Sequence, residues 1–277
     1  MGADCHIHLV LDGHNWRSAI ARHSQKPDED FVRKALSCYR EKGYTYLRDG
    51  GDRWGVGKKA REIAPEYGIT YRTPLSPLHR IGHYGGFIGT GYETMKEFAA
   101  LVTKIKAQGG DFIKIMISGL MDFDHFGVLT EPGLPKGEIK ELIHIAHQEG
   151  MAVMVHANGA RTVEAAAEAG VESVEHGAYL DADALWAMEE YGAVWVPTLS
   201  TVANLRGTGR FSETDVEKIF ESTCQNLADY KGLVAPGTDA GAWAVPHGIC
   251  REERLLQEAG INDNRLQAGI RRIREKF

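Results

Sequence analysis

Cysteine is scarce in this sequence of 277 residues: Cys5, Cys38, Cys224 and Cys250 are far apart, and no CxxC pair occurs. That usage excludes a disulfide-stapled scaffold and fits a reducing, cytoplasmic setting. Proline numbers only nine, and no Pro/Ser-rich or low-complexity stretch divides the chain, so one domain over residues 1–277 is expected. No apolar run approaches the ~20 residues that span a bilayer. The opening MGADCHIHLV has neither the basic segment nor the long apolar segment of a secretory leader. Basic charge is not in surplus either, since 32 Lys and Arg stand against 38 Asp and Glu for a formal net charge of −6. With no basic run to neutralise phosphates, neither nucleic acid nor an anionic membrane is expected as a partner, and a small-molecule substrate is.

What is present is an ordinary globular composition, with 43% hydrophobic residues and 32 glycines, enough for one large core. Short apolar runs alternate with amphipathic segments from end to end. Strands are predicted at residues 3–8, 44–49, 69–75, 112–117, 152–156, 173–176, 194–197 and 233–236. Helices are predicted at 28–42, 92–108, 136–149, 160–169, 182–191, 213–229 and 251–277, several with a glycine just past the end. Eight strand-then-helix units argue for a parallel sheet closed into a (β/α)8 TIM barrel, with a doubly wound open sheet as the rival. The segment 76–91, SPLHRIGHYGGFIGTG, lacks periodicity and reads as a loop that shapes specificity.

The chemistry gathers at predicted strand ends. In Asp4-Cys5-His6-Ile7-His8, alternation puts His6 and His8 on one face and points Cys5 away. In FIKIMIS, the three isoleucines share one face and Lys114 takes the other, pointing inward. A buried ammonium must be paired, reach the rim, or be chemically altered. His156 and His176 close the fifth and sixth strands, and Asp239 sits in a Gly-flanked turn beyond the eighth. Taken singly, each has a structural alternative: a hydrogen-bonded HxH, a lysine paired to an acid, an aspartate capping its own turn. Five of eight strands ending this way at one rim is the pattern of a metal site in a barrel. Alternation places Glu175 outward, where a carboxylate packed against a helix has no evident partner.

Over nearly its whole length the sequence resembles the amidohydrolase superfamily of metal-dependent hydrolases, in particular its imidazolonepropionase-like and Xaa-Pro dipeptidase-like branch. The segments that carry the resemblance are DCHIHL, GYTYLRDGG, FIKIMISG, VHANG, AAAEAGVESVEHGAYLD, VWVPTLS and GTDAG. It implies a binuclear centre, with His6, His8 and Asp239 on one divalent ion and His156 and His176 on the other. Lys114, carboxylated by CO2 to a carbamate, would bridge the two ions. Zinc is the expected metal, with iron, manganese, cobalt and nickel as alternatives. A bridging hydroxide would attack an amide or peptide-like C–N bond, with Asp239 moving the proton. The substrate would be a dipeptide, an N-acyl amino acid or a cyclic amide.

His83 and Tyr84 match the place where this branch carries a GGH-like turn and are substrate-binding candidates, against the alternative of a solvated loop. Tyr179 and His125 follow the sixth and fourth strands and are further candidates. His14, His23, His79, His144, His147 and His247 lack the strand-end context and read as surface or helix residues. The family's small β-sandwich is built from segments outside the barrel, and neither segment is evident here. The expectation is therefore a barrel without it, its open flank covered in a homo-oligomer. Three other readings compete: a lactone or phosphoester hydrolase, a mononuclear deaminase or imidazolone ring-opening enzyme, and an inactive metal-stabilised barrel.

Overall fold

A computed structural model describes residues 2–248 and 251–277, so Cys250 lies outside the described residues. The chain runs β1 (Gly2–Ile7), α1 (Trp16–Arg22), α2 (Glu29–Glu41), β2 (Tyr44–Asp49), α3 (Val56–Ile63), β3 (Thr70–Arg72), β4 (Leu78–Arg80), β5 (Thr90–Tyr92) and α4 (Met95–Ala107). It continues through β6 (Ile113–Met116), α5 (Lys136–Gln148), β7 (Val153–Ala157), α6 (Ala160–Glu168), β8 (Ser173–His176), α7 (Ala182–Tyr191) and β9 (Val194–Val196). Helices α8 (Leu199–Ala203), α9 (Glu213–Asp229), α10 (Glu252–Glu258) and α11 (Asp263–Lys276) follow. Every strand pair is parallel, with helices in the crossovers except between β4 and β5.

The strands form two sheets, β1-β2-β3 and β5-β4-β6-β7-β8-β9, rather than one continuous eight-stranded ring. The predicted strand at 233–236 is reduced to a single bridge between Trp195 and Val234. Pro236 lacks an N–H and cannot extend a ladder. Residues 233–240 nevertheless join the two sheets. Ala235 N–H donates to Trp195 O at 3.0 Å, Cys5 N–H to Pro236 O at 2.8 Å, and Asp239 N–H to His6 O at 2.8 Å. At the other flank, Asp111 N–H donates to Thr73 O at 3.0 Å, tying the end of β3 to the start of β6.

Several expected boundaries shift for local reasons. The segment 76–91 is not wholly loop: Leu78 in β4 pairs with Ile115, and Thr90 opens β5. Tyr92 therefore ends a strand, and α4 starts only after Thr94, whose side chain and Glu97 form a capping box. The terminal helix is two helices, because Gly260 takes φ 91° and Asn262 caps α11. Helices α1 and α3, absent from the predicted set, are short and are started by Asn15 and Gly55.

The isoleucines of β6 pack outward with Val102, Leu142, Ile143 and Val153 in the largest apolar cluster. Facing the other way, Phe112, Met154, Val194 and Val196 join Cys5 and Tyr46 in a smaller cluster that forms the floor beneath the functional side chains. Helix α11 lies against residues 234–235 so closely that a Cβ on Gly269 would overlap the Val234 carbonyl oxygen. Gly269→Ala should therefore destabilise the fold by about 1–3 kcal/mol, although alanine ordinarily favours a helix by about 1 kcal/mol. Urea unfolding measures the sign, and a neutral or stabilising result would contradict this packing.

Candidate functional site

The end of β1 brings two imidazoles together. His6 Nε2 and His8 Nε2 stand 3.2 Å apart, and Asp239 Oδ1 lies 3.5 Å from the first and 3.3 Å from the second. These three residues form a compact buried group of candidate ligand atoms. Gly50 permits it, since a Cβ there would overlap the His8 ring. His176 packs its ring 5.1 Å from His6 and 4.6 Å from His156, so four histidines form one contiguous wall. Lys114 is fully buried below them, and its Nζ has no hydrogen-bond partner among the described residues.

Two of these residues reach the site through strained backbone. His176 has φ 69° and Asp239 φ 56°, both in the left-handed region that non-glycine residues rarely adopt. Strict alternation would put Glu175 and His176 on opposite faces. The left-handed turn swings His176 back, so both side chains point inward. Glu175 is therefore not an outward residue: its Oε2 accepts from His6 Nδ1 at 2.7 Å and its Oε1 from Arg48 at 2.8 Å, all without solvent exposure. The Asp239 turn is anchored from β1, where the Asp4 carboxylate accepts from Thr238 N–H at 2.9 Å and from Thr238 Oγ1 at 2.6 Å. Thr201 Oγ1 donates to Asp239 Oδ2 at 3.3 Å.

Electrostatics keeps these donors uncharged. Burial is the main cause pushing His8 and His156 down to about 3, and the neighbouring Lys114 adds to it. His6 and His176 are lowered in the same direction, burial again leading. Burial also lowers Lys114 to about 8 and raises Asp239 to about 7. The hydrogen bonds select which ring nitrogen keeps a lone pair. His6 Nδ1 is held by a carboxylate, and His156 Nε2 by the Gly119 carbonyl at 3.1 Å. His176 Nδ1 is held by Thr198 Oγ1 at 2.8 Å. An acceptor on one nitrogen leaves the other free to ligate. Neutral imidazoles, a carboxylate and an orphaned amine, all buried, fit a divalent-metal centre, because incoming cations satisfy atoms that nothing else satisfies.

The substrate candidates divide. Tyr84 stacks on His156 at 4.8 Å and on Phe87 at 5.7 Å, and Phe87 meets the exposed Trp16 at 5.9 Å, so an aromatic file runs from the ligand wall to the surface. Tyr179 packs edge-on to Phe126 at 5.5 Å. His83 pairs instead with Glu131 at 3.5 Å, and exposed His125 with Asp122 at 3.0 Å. Of the histidines expected on the surface or on helices, His23 and His79 are buried and His247 is half-buried. His23 and His247 serve the backbone, His23 accepting from Asp28 N–H and His247 bonding Leu11 O. Residues the sequence reading missed include Arg48, Asn158, Thr198 and Thr201. Only Arg48 carried a signal, as a basic residue inside the predicted strand YTYLRD.

A model of the amidohydrolase family matches residues 2–205. The chain belongs to the amidohydrolase family. Among curated proteins, this amidohydrolase is 24% identical over 278 residues to the ochratoxinase of Aspergillus niger, a match covering 84% of the chain and 55% of the relative. It thus spans about half the length of that relative. It superposes on a crystal structure of a Xaa-Pro dipeptidase with methionine bound in its active site, at a TM-score of 0.76 and 22% identity, covering 99% of this chain and 75% of that one. Against the Aspergillus niger ochratoxinase structure the TM-score is 0.74 at 20% identity, covering 98% and 68%.

The neutral histidines should make this protein acid-sensitive. His8 sits near 3 when folded and at 6.5 when unfolded. Below pH 6.5 the unfolded chain therefore takes up a proton that the folded chain refuses, and stability falls with pH. In metal-free protein the wild type should lose about 1.4 kcal/mol per pH unit more than His8→Gln as pH falls below 6.5. Urea unfolding of both at about pH 7.5 and about pH 5 measures the difference. Parallel pH dependence would contradict a neutral His8.

Proposed function

We propose that this protein is a metal-dependent amidohydrolase, built on a (β/α)8 barrel, that hydrolyses an amide or peptide-like C–N bond of a small molecule such as a dipeptide, an N-acyl amino acid or a cyclic amide. The observation that carries the reading is the convergence of His6, His8 and Asp239, with Lys114 Nζ buried and unpartnered beside them. His6, His8 and Asp239 would hold one divalent ion, and His156 and His176 the other. Zinc suits the mixed imidazole and carboxylate set. Bound ions would supply Lewis acidity toward the scissile carbonyl and lower the pKa of water.

The chain's own residues carry the remaining steps. Lys114, lowered by burial to about 8 and so far richer in the neutral amine than an ordinary lysine, is suited to react with CO2: its nitrogen forms a bond to carbon, a proton leaves, and the resulting carbamate supplies two anionic oxygens where a bare amine has no partner. Asp239, raised toward neutrality, is matched to take the proton from the attacking water and pass it to the leaving nitrogen. Thr201 holds one oxygen of that carboxylate. Tyr84, lying on His156, is placed to bind the carbonyl or carboxylate of the substrate, and the aromatic file behind it excludes water.

With zinc-loaded protein and a panel of dipeptides and N-acyl amino acids set against matched esters, amide hydrolysis should dominate. Asp239→Ala and His156→Ala should each lower turnover by about 10²–10⁴-fold while circular dichroism stays that of the wild type. Wild-type turnover in either folded variant would refute these assignments.

A further inference from the structure

We propose that Glu175, braced by Arg48 and Ser173, is a positioning residue that sets the His6 ring for cation binding. This inference rests on reading His6, His8 and Asp239 as a cation site. Glu175 has no exposure, yet each carboxylate oxygen is bonded. Oε2 accepts from His6 Nδ1 at 2.7 Å, and Oε1 accepts from Arg48 at 2.8 Å and from Ser173 Oγ at 2.6 Å.

Arg48 is fixed in turn. Its Nε donates to Cys5 O at 2.7 Å, its third nitrogen donates to Ser173 Oγ at 2.8 Å, and the Phe277 ring lies 4.4 Å from the guanidinium. Three strands, β1, β2 and β8, thus meet at one carboxylate that cannot turn away from His6.

A carboxylate only accepts hydrogen bonds, so the ring proton of His6 is drawn to Nδ1. The Nε2 lone pair then faces His8 and Asp239. The bond also lends negative charge to the ring, which strengthens Nε2 as a ligand. Arg48 balances the buried charge of Glu175, so the carboxylate supports the ligand without competing for the cation. Neighbouring residues of β8 consequently serve different partners: His176 joins the ligand wall, and Glu175 orients a ligand that belongs to β1.

The isosteric variant Glu175→Gln separates this role from packing. Its amide oxygen would take the Arg48 and Ser173 bonds, which leaves an NH2 facing His6 Nδ1. That nitrogen must then accept, the ring proton moves to Nε2, and the lone pair is lost from the site. In metal-free full-length protein labelled with 15N-histidine, NMR should find the Nδ1–H tautomer of His6 in the wild type and the Nε2–H tautomer in Glu175→Gln. Zinc titration should show affinity 10–100-fold weaker in Glu175→Gln, and a smaller loss in Glu175→Asp, which keeps an acceptor.

An Nε2–H tautomer of His6 in the wild type overturns the proposal whether or not any variant folds. So does equal zinc affinity of a folded Glu175→Gln and the wild type. A wild type with the Nδ1–H tautomer that binds no zinc supports the positioning and refutes the cation site on which it rests.

Discussion

The buried pair of Arg48 and Glu175 is the interaction on which the interior depends. Two opposite charges without solvent exposure are tolerable only when well partnered, and here each guanidinium nitrogen and each carboxylate oxygen has a hydrogen bond, with the Phe277 ring against the guanidinium. Removing either partner would strand the other's charge, at a cost of about 3–5 kcal/mol. The pair stands between an apolar floor of Phe112, Met154 and Val194 and a polar wall of histidines, and so joins the part of the interior that folds the chain to the part that does chemistry.

Above it the constraint is desolvation. Burial holds four imidazoles neutral, makes Lys114 more acidic and makes Asp239 a weaker acid. A protein assembled for stability alone would not crowd so many titratable groups without mutual partners. The strained backbone at His176 and Asp239 belongs to the same economy, since each residue gives up a favourable conformation to aim its side chain inward. Divalent cations would satisfy the lone pairs that the tertiary structure leaves over, which connects this geometry with the proposed hydrolytic chemistry.

Much of this was legible beforehand because it follows from period and position. Alternating parallel strands and helices show in apolar periodicity, and β6 put its isoleucines outward as the two-residue repeat requires. The gathering of ionisable side chains at one rim showed in the predicted strand ends, and the grouping of His6, His8 and Asp239 was implied by the family resemblance; the structure brings these three together. That Glu175 and His176 both face inward was not legible, because it depends on a positive φ at His176 that no residue type announces. The segment 233–236 is apolar enough to read as a strand, but Pro236 has no N–H to continue a ladder. His83 and His247 show the same limit: whether a loop histidine meets substrate, an acid or a backbone carbonyl is settled by contacts distant in sequence.

The buried cluster is proposed to hold divalent cations together with a carboxylated Lys114. Elemental analysis of purified protein, with intact mass under native conditions, tests it most directly. The account predicts two divalent ions per chain and the added mass of one CO2, lost on substituting Lys114. Protein that remains metal-free after incubation with zinc and bicarbonate, with an unmodified lysine, would contradict it.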